Sequence, residues 1–287
     1  MTPVCATCGA WFPEADDPPA ACPICEDERQ WVPADGQRWT TPEGVLDGRS
    51  TDIREHEPQL TGIGLAPSFA IGQRMLLVET DAGNVLWDMI PAAGDEAVAA
   101  VRERGGARAI AISHPHYYSA ASAWSEALGG VPVLLHAADA EWVTRPDAAI
   151  EHWEGDVREL TGGLTLLRLG GHFPGATVLH WPGGADGRGA LLSGDVVMAL
   201  PDRNVSFMWS YPNLVPLPAG EVERIGTALE PWPFDRIAEQ LERIDARLEA
   251  SEGLVQVSRE LRALNDSLNA VAYAALGQSP QVRRRAG

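Results

Sequence analysis

The chain has 287 residues, 45% of them hydrophobic and 22% charged, and its 40 acidic side chains against 22 basic ones give a formal net charge of −18. That acidity argues against a nucleic-acid partner, because phosphates are repelled, and the basic tail Arg283-Arg284-Arg285 is too short to change it. No apolar run approaches the ~18–20 residues that span a bilayer, and no basic-then-apolar leader opens the chain, so a cytoplasmic protein with no membrane partner is expected.

All four cysteines lie at the start, as Cys5-x2-Cys8 and Cys22-x2-Cys25. With no secretory leader and no cysteine left over, this pattern reads as one tetrahedral four-thiolate site rather than two disulfides. The segment resembles the rubredoxin-like or zinc-ribbon module. Thiolates in this arrangement hold zinc or iron. Zinc makes the module structural, since so small a segment buries too little without a staple. Iron makes it an electron carrier. This module is taken as residues 1–36, and the polar stretch from Arg29 to about Gly48 reads as a linker or early edge strand.

Short apolar runs then alternate with helical stretches. Residues 75–80 and 85–88 read as strands joined by the turn Asp81-Ala82-Gly83-Asn84. A helix over 95–104 ends at Gly105-Gly106, and 109–112 is a buried strand. Its continuation is Ser113-His114-Pro115-His116-Tyr117-Tyr118-Ser119. Two histidines at i and i+2 beyond a strand can face one way, as a metal site requires. A helix over 120–128 and a strand over 131–135 follow. The strand over 164–169 ends in Gly170-Gly171-His172-Phe173-Pro174-Gly175, and the strand beginning at Gly189 ends in Ser193-Gly194-Asp195. Separate strand ends therefore deliver His114/His116, His172 and Asp195.

Taken in order, these motifs resemble the metallo-β-lactamase fold, a four-layer αββα sandwich with its metals at one edge, here over about residues 37–236. The His-Pro-His-Tyr-Tyr-Ser run resembles a degenerate subgroup of that superfamily. The family motif is His-x-His-x-Asp-His; Tyr118 and Ser119 replace its last two ligands, and the late family histidine is absent, with only Glu230 near its place. The resemblance thus implies one metal, zinc or iron, on His114, His116 and His172, with Asp195 binding it or orienting its water. It implies a metal-bound hydroxide attacking an ester, thioester or lactone, with Asp195 and Tyr118 in catalytic roles. Asp88 is expected to steady the metal loops.

Two other functions fit the same residues. His114, His172 and Asp195 can form a non-haem iron triad coupled to the rubredoxin-like head, or the chain can be a non-catalytic metal-binding or assembly protein. His136 is expected to pack at a strand end and His180 within a strand, while His56 and His152 carry no motif. Ser119 has no orienting third group and is no nucleophile. The aromatic stretch around Phe207, Trp209 and Tyr211 reads equally as pocket wall or core, and Arg203 as a surface ion pair. Residues 231–237 are expected to complete the sandwich. From Ile237 to about residue 276, leucine and valine recur in a heptad-like stripe on two helices, expected to dimerise. Residues 277–287 are expected to be disordered.

Overall fold

The computed structural model describes residues 1–200 and 204–238. Two sheets form its body. The larger has seven strands in the order Ser50–Glu57, Leu60–Ala66, Met75–Val78, Val85–Trp87, Ala109–Ala111, Val133–His136, Ile150–Trp153. Its first four strands are antiparallel and hairpin-linked, and the remaining pairings are parallel. Parallel neighbours need crossovers, and the helices Asp95–Glu103 and Ala121–Ala127 supply two of them. The smaller sheet runs Val157–Glu159, Thr165–Arg168, Thr177–Trp181, Ala190–Leu192, Arg236–Ala238.

Period-two alternation makes the layers. Leu76 and Val78 face the other sheet, where they join Leu166, Leu179, Trp181 and Leu192. Their strand neighbours Met75 and Leu77 face outward, onto Val98 and Val101 of one helix and Trp124 of the other. In the smaller sheet Leu167, Val178, Leu191 and Ile237 turn their backs on that central layer. They pack on Val222, Ile225 and Leu229 of the helix Ala219–Leu229. Helix, sheet, sheet, helix is the expected αββα sandwich, and each fully buried leucine or valine contributes roughly 1.5–3 kcal/mol to it.

Three findings differ from the sequence reading or add to it. The stretch from Arg29 to about Gly48, read as a linker or an early edge strand, holds a short strand and a helix. Trp39–Thr40 pairs antiparallel with Val4–Cys5, Pro42–Leu46 is helical, and Arg29 and Gln30 are buried. The strand Ile150–Trp153 and the hairpin of Ser50–Glu57 and Leu60–Ala66 carry too weak an alternation to be predicted. Ile237, the first position of the heptad stripe, is a fully buried residue of a strand that pairs parallel with Ala190–Leu192. The remaining heptads, the tail and Arg203 lie outside the described residues. No helix among the described residues is long and apolar enough to cross a membrane.

Candidate metal centre

His114 and His116 follow the strand Ala109–Ala111, His172 follows Thr165–Arg168, and Asp195 follows Ala190–Leu192. Strands of both sheets thus end at one rim, and the four side chains converge there. Their ligand atoms all lie within 4.8 Å of one another, and all four residues are buried. Asp195 Oδ2 is 3.4 Å from His114 Nε2, 4.0 Å from His116 Nδ1 and 3.8 Å from His172 Nε2. His172 Nε2 is 3.3 Å from His116 Nδ1. A metal with bonds of ~2.0–2.1 Å has tetrahedral edges of about 3.4 Å, so the set fits a single ion, with Asp195 at the fourth corner. Burial lowers His116 to about 4 and holds His172 well below the ordinary imidazole value. Burial pushes Asp195 up, but its interactions with His114 and His116 outweigh this and keep it ionised. Neutral imidazoles and a carboxylate are the protonation states that ligation demands. The Nε2 of His114 has no hydrogen-bond partner among the described residues.

The far sides of the His114 and His172 rings fix their aim. Ser113 Oγ lies 2.8 Å from His114 Nδ1 and donates to Asp88 Oδ2 at 2.9 Å, while Ser113 N donates to Asp88 Oδ1 at 2.6 Å. His172 Nδ1 lies 3.2 Å from the Met208 carbonyl, to which it donates when Nε2 is a ligand. Phe173 lies under all three imidazoles, with ring centres 5.0–5.8 Å apart. Asp88 is fully buried, and burial raises its carboxyl to about 7. Asp88→Ala removes the group that orients Ser113 and His114; metal affinity at the cluster should fall about 10–100-fold, measured by competition with a chromogenic chelator. Gly194 has φ +51°, and a Cβ there meets Ser113 Cβ and Oγ at 2.6 Å. Gly194→Ala should therefore cost about 1–3 kcal/mol in urea unfolding and also loosen the metal.

The four cysteines form the other centre. Cys5 Sγ is 3.5 Å from Cys25 Sγ and Cys8 Sγ is 3.6 Å from Cys22 Sγ. Disulfide sulfurs are ~2.05 Å apart, whereas tetrahedral Zn–S bonds of ~2.3 Å give edges of about 3.8 Å. The thiols are free, and all four are buried. Contact with Cys22, with burial, pushes Cys8 and Cys25 above the ordinary thiol value; a cation is what makes ionisation favourable. Gln37 Nε2 donates to Cys5 Sγ at 3.0 Å.

The two centres are joined. Gln73 Nε2 donates to the Cys8 carbonyl at 2.7 Å and to the His116 carbonyl at 3.2 Å. Five residues past Cys25, Gln30 brings its Nε2 to 3.4 Å from His116 Nδ1. Arg29 lies over the rings of Phe173 at 3.9 Å and Trp209 at 4.4 Å. Ser210 Oγ donates to the Arg29 carbonyl, and Asn213 Nδ2 donates to the carbonyls of Glu28 and Gln30. Sequence reasoning missed Arg29, Gln30 and Gln73. Isolated polar residues carry no periodicity, and position just after a metal knuckle is the one signal that Arg29 and Gln30 offer.

The other predicted residues fall as follows. Tyr118 is packed in the outer core cluster, and burial pushes its phenol well above the ordinary value. Ser119 Oγ is buried with no partner among the described residues. Phe207 is core, Trp209 lies under Arg29, and Tyr211 donates from its hydroxyl to the Asp195 carbonyl at 2.9 Å. His136 Nε2 meets the Gly155 carbonyl and packs edge-on to Trp153, and His180 Nε2 meets the Pro233 carbonyl. Glu230 caps the helix Ala219–Leu229 and is exposed.

No family model matches the chain. The "Uncharacterized protein YmaE" of Bacillus subtilis (strain 168) is 43% identical over 269 residues, covering 92% of this chain and 97% of its own length. The chain belongs to the YmaE family. Among solved structures, the DIM-1 metallo-β-lactamase superposes with a TM-score of 0.55 at 13% identity, covering 75% of this chain and 98% of its own. TMB-1 superposes with a TM-score of 0.55 at 14% identity, covering 75% and 99%. Identities this low speak for the fold alone, and this YmaE-family chain has the metallo-β-lactamase fold with a four-cysteine cluster ahead of it.

Proposed function

We propose that this YmaE-family chain is a metal-dependent hydrolase of esters, thioesters or lactones, working with one ion on His114, His116, His172 and Asp195. The observation that carries the reading is the convergence of four buried ligand residues at the sheet rim, with the outer nitrogen of His114 held by Ser113 and Asp88 and that of His172 by the Met208 carbonyl. A bound divalent ion supplies Lewis acidity and a water that ionises near neutral pH. The chain's own groups do the rest. The three imidazoles hold and orient. Asp195 Oδ2 supplies the anionic corner of the set. Tyr118, given a catalytic part by the sequence reading, packs in the outer core cluster with its phenol pushed up by burial, and is no base. Phe173 and Trp209 keep bulk water from the cluster. The partner is a small molecule, and zinc suits both centres.

A set of ligands that encloses its ion also suits a structural site, so turnover would require one of the residues holding the ion to give up its place. Against a panel of chromogenic esters, thioesters and lactones, hydrolysis should be lost in His114→Ala and Asp195→Asn. Rates unchanged from the parent protein would overturn the enzymatic reading. One observation favours an iron-based oxidoreductase as the second reading: Gln73 links the Cys8 and His116 carbonyls, a short route between the two centres. Metal content and visible absorption separate them. The hydrolase should be colourless with zinc at both centres, and a red protein with thiolate-to-iron bands would favour the second reading.

A further inference from the structure

The side-chain amide of Gln30 is only half satisfied. It is 6% exposed, and its Oε1 has no hydrogen-bond partner among the described residues. Its Nε2 contacts His116 Nδ1 at 3.4 Å. Nδ1 is the nitrogen that faces Asp195 Oδ2 and His172 Nε2, and it has one lone pair. Once an ion takes that lone pair, an N–H of Gln30 has nothing there to donate to. The backbone cannot carry the side chain away. Gln30 N donates to the Asp27 carbonyl at 3.0 Å, and the Gln30 carbonyl accepts from Asn213 Nδ2 at 3.2 Å. A half-turn of the amide about its last bond exchanges nitrogen for oxygen at almost the same point. That point is one tetrahedral edge, about 3.4 Å, from a ligand atom.

We infer that Gln30 belongs to the histidine–aspartate centre and presents its amide Oε1 to the bound ion as a neutral fifth ligand, delivered by the four-cysteine module. The inference rests on the proposed occupation of that centre by a metal. A neutral amide oxygen is the weakest of the five donors and is the one an incoming substrate oxygen displaces. It follows that the module is part of the active centre. The Cys22-x2-Cys25 knuckle sets where Gln30 stands, and the loop holding Ser210 and Asn213 clamps it there.

The test uses the full chain with zinc in the four-cysteine site and cobalt(II) at the histidines, where d–d absorption reports coordination number without turnover. The parent protein should show the weak bands of five-coordinate cobalt. Gln30→Ala should intensify them several-fold as the ion becomes four-coordinate, and should raise the cobalt dissociation constant at least tenfold. Gln30→Glu should restore the five-coordinate spectrum and bind more tightly than the parent. Zinc retained at the cysteines shows that each variant is folded around its first ion. Identical spectra and affinities for Gln30→Ala and the parent, with cobalt bound in both, would overturn this assignment and leave the metal-centre reading standing. Cobalt absent from the parent, or bands that persist in His114→Ala, would overturn both.

Discussion

Cys22→Ser combined with Cys25→Ser should unfold the amino-terminal module and carry Arg29 and Gln30 out of the histidine cluster. The module has almost no core of its own: around the four cysteines lie Ala10, Phe12 and Ile24. A structural zinc site is worth ~10–16 kcal/mol to a peptide of this kind, and nothing else in the segment approaches that. The loss should stay local. Trp11 Nε1 donates to the Pro91 carbonyl and Thr144 Oγ1 to the Trp11 carbonyl, at 2.8 and 2.7 Å, so the module is clasped from outside, and of the sandwich's three clusters only the first takes in module residues, Val4 and Trp11. Hydrogen exchange should show residues 1–36 at solvent rates with the central strands still protected. Metal affinity at the histidines should fall in parallel. An unchanged histidine site would mean that the two centres are merely neighbours.

Phe173→Ala should be the most damaging single change in the sandwich. The ring is 1% exposed and touches His114, His116, His172 and Trp142, with the Arg29 guanidinium over its face. Truncating a buried phenylalanine costs about 3–5 kcal/mol, a fall in Tm of roughly 6–20 °C for a chain of this size. The cavity opens directly beneath the ligands, so metal should also be bound less tightly. Phe173→Leu keeps much of the volume, should cost less than about 1.5 kcal/mol, and should keep its metal. Equal losses in the two variants would show that packing is not what positions the imidazoles.

The metal ligands were legible in the sequence because each sits at the end of an apolar strand and beside a glycine or proline that forces a turn there. His-Pro-His, Gly-Gly-His-Phe-Pro-Gly and Ser-Gly-Asp are local signals, and the αββα order follows from their sequence. The hairpin of Ser50–Glu57 and Leu60–Ala66 was not legible. Its outer strand is half solvated and charged, and its inner strand is diluted by Gly62 and Gly64, where the His56 and Arg74 side chains cross the backbone too closely for a Cβ. The residues that join the two centres were invisible for a different reason. Gln30 and Gln73 act through contacts between segments 43 and 86 residues apart, and no pattern along the chain records such a meeting.

Gln73 uses its two amide hydrogens on two different loops, one carrying Cys8 and the other His116. One side chain therefore ties the placing of the Cys8 loop to that of the His116 turn, so whatever steadies one of them steadies the other.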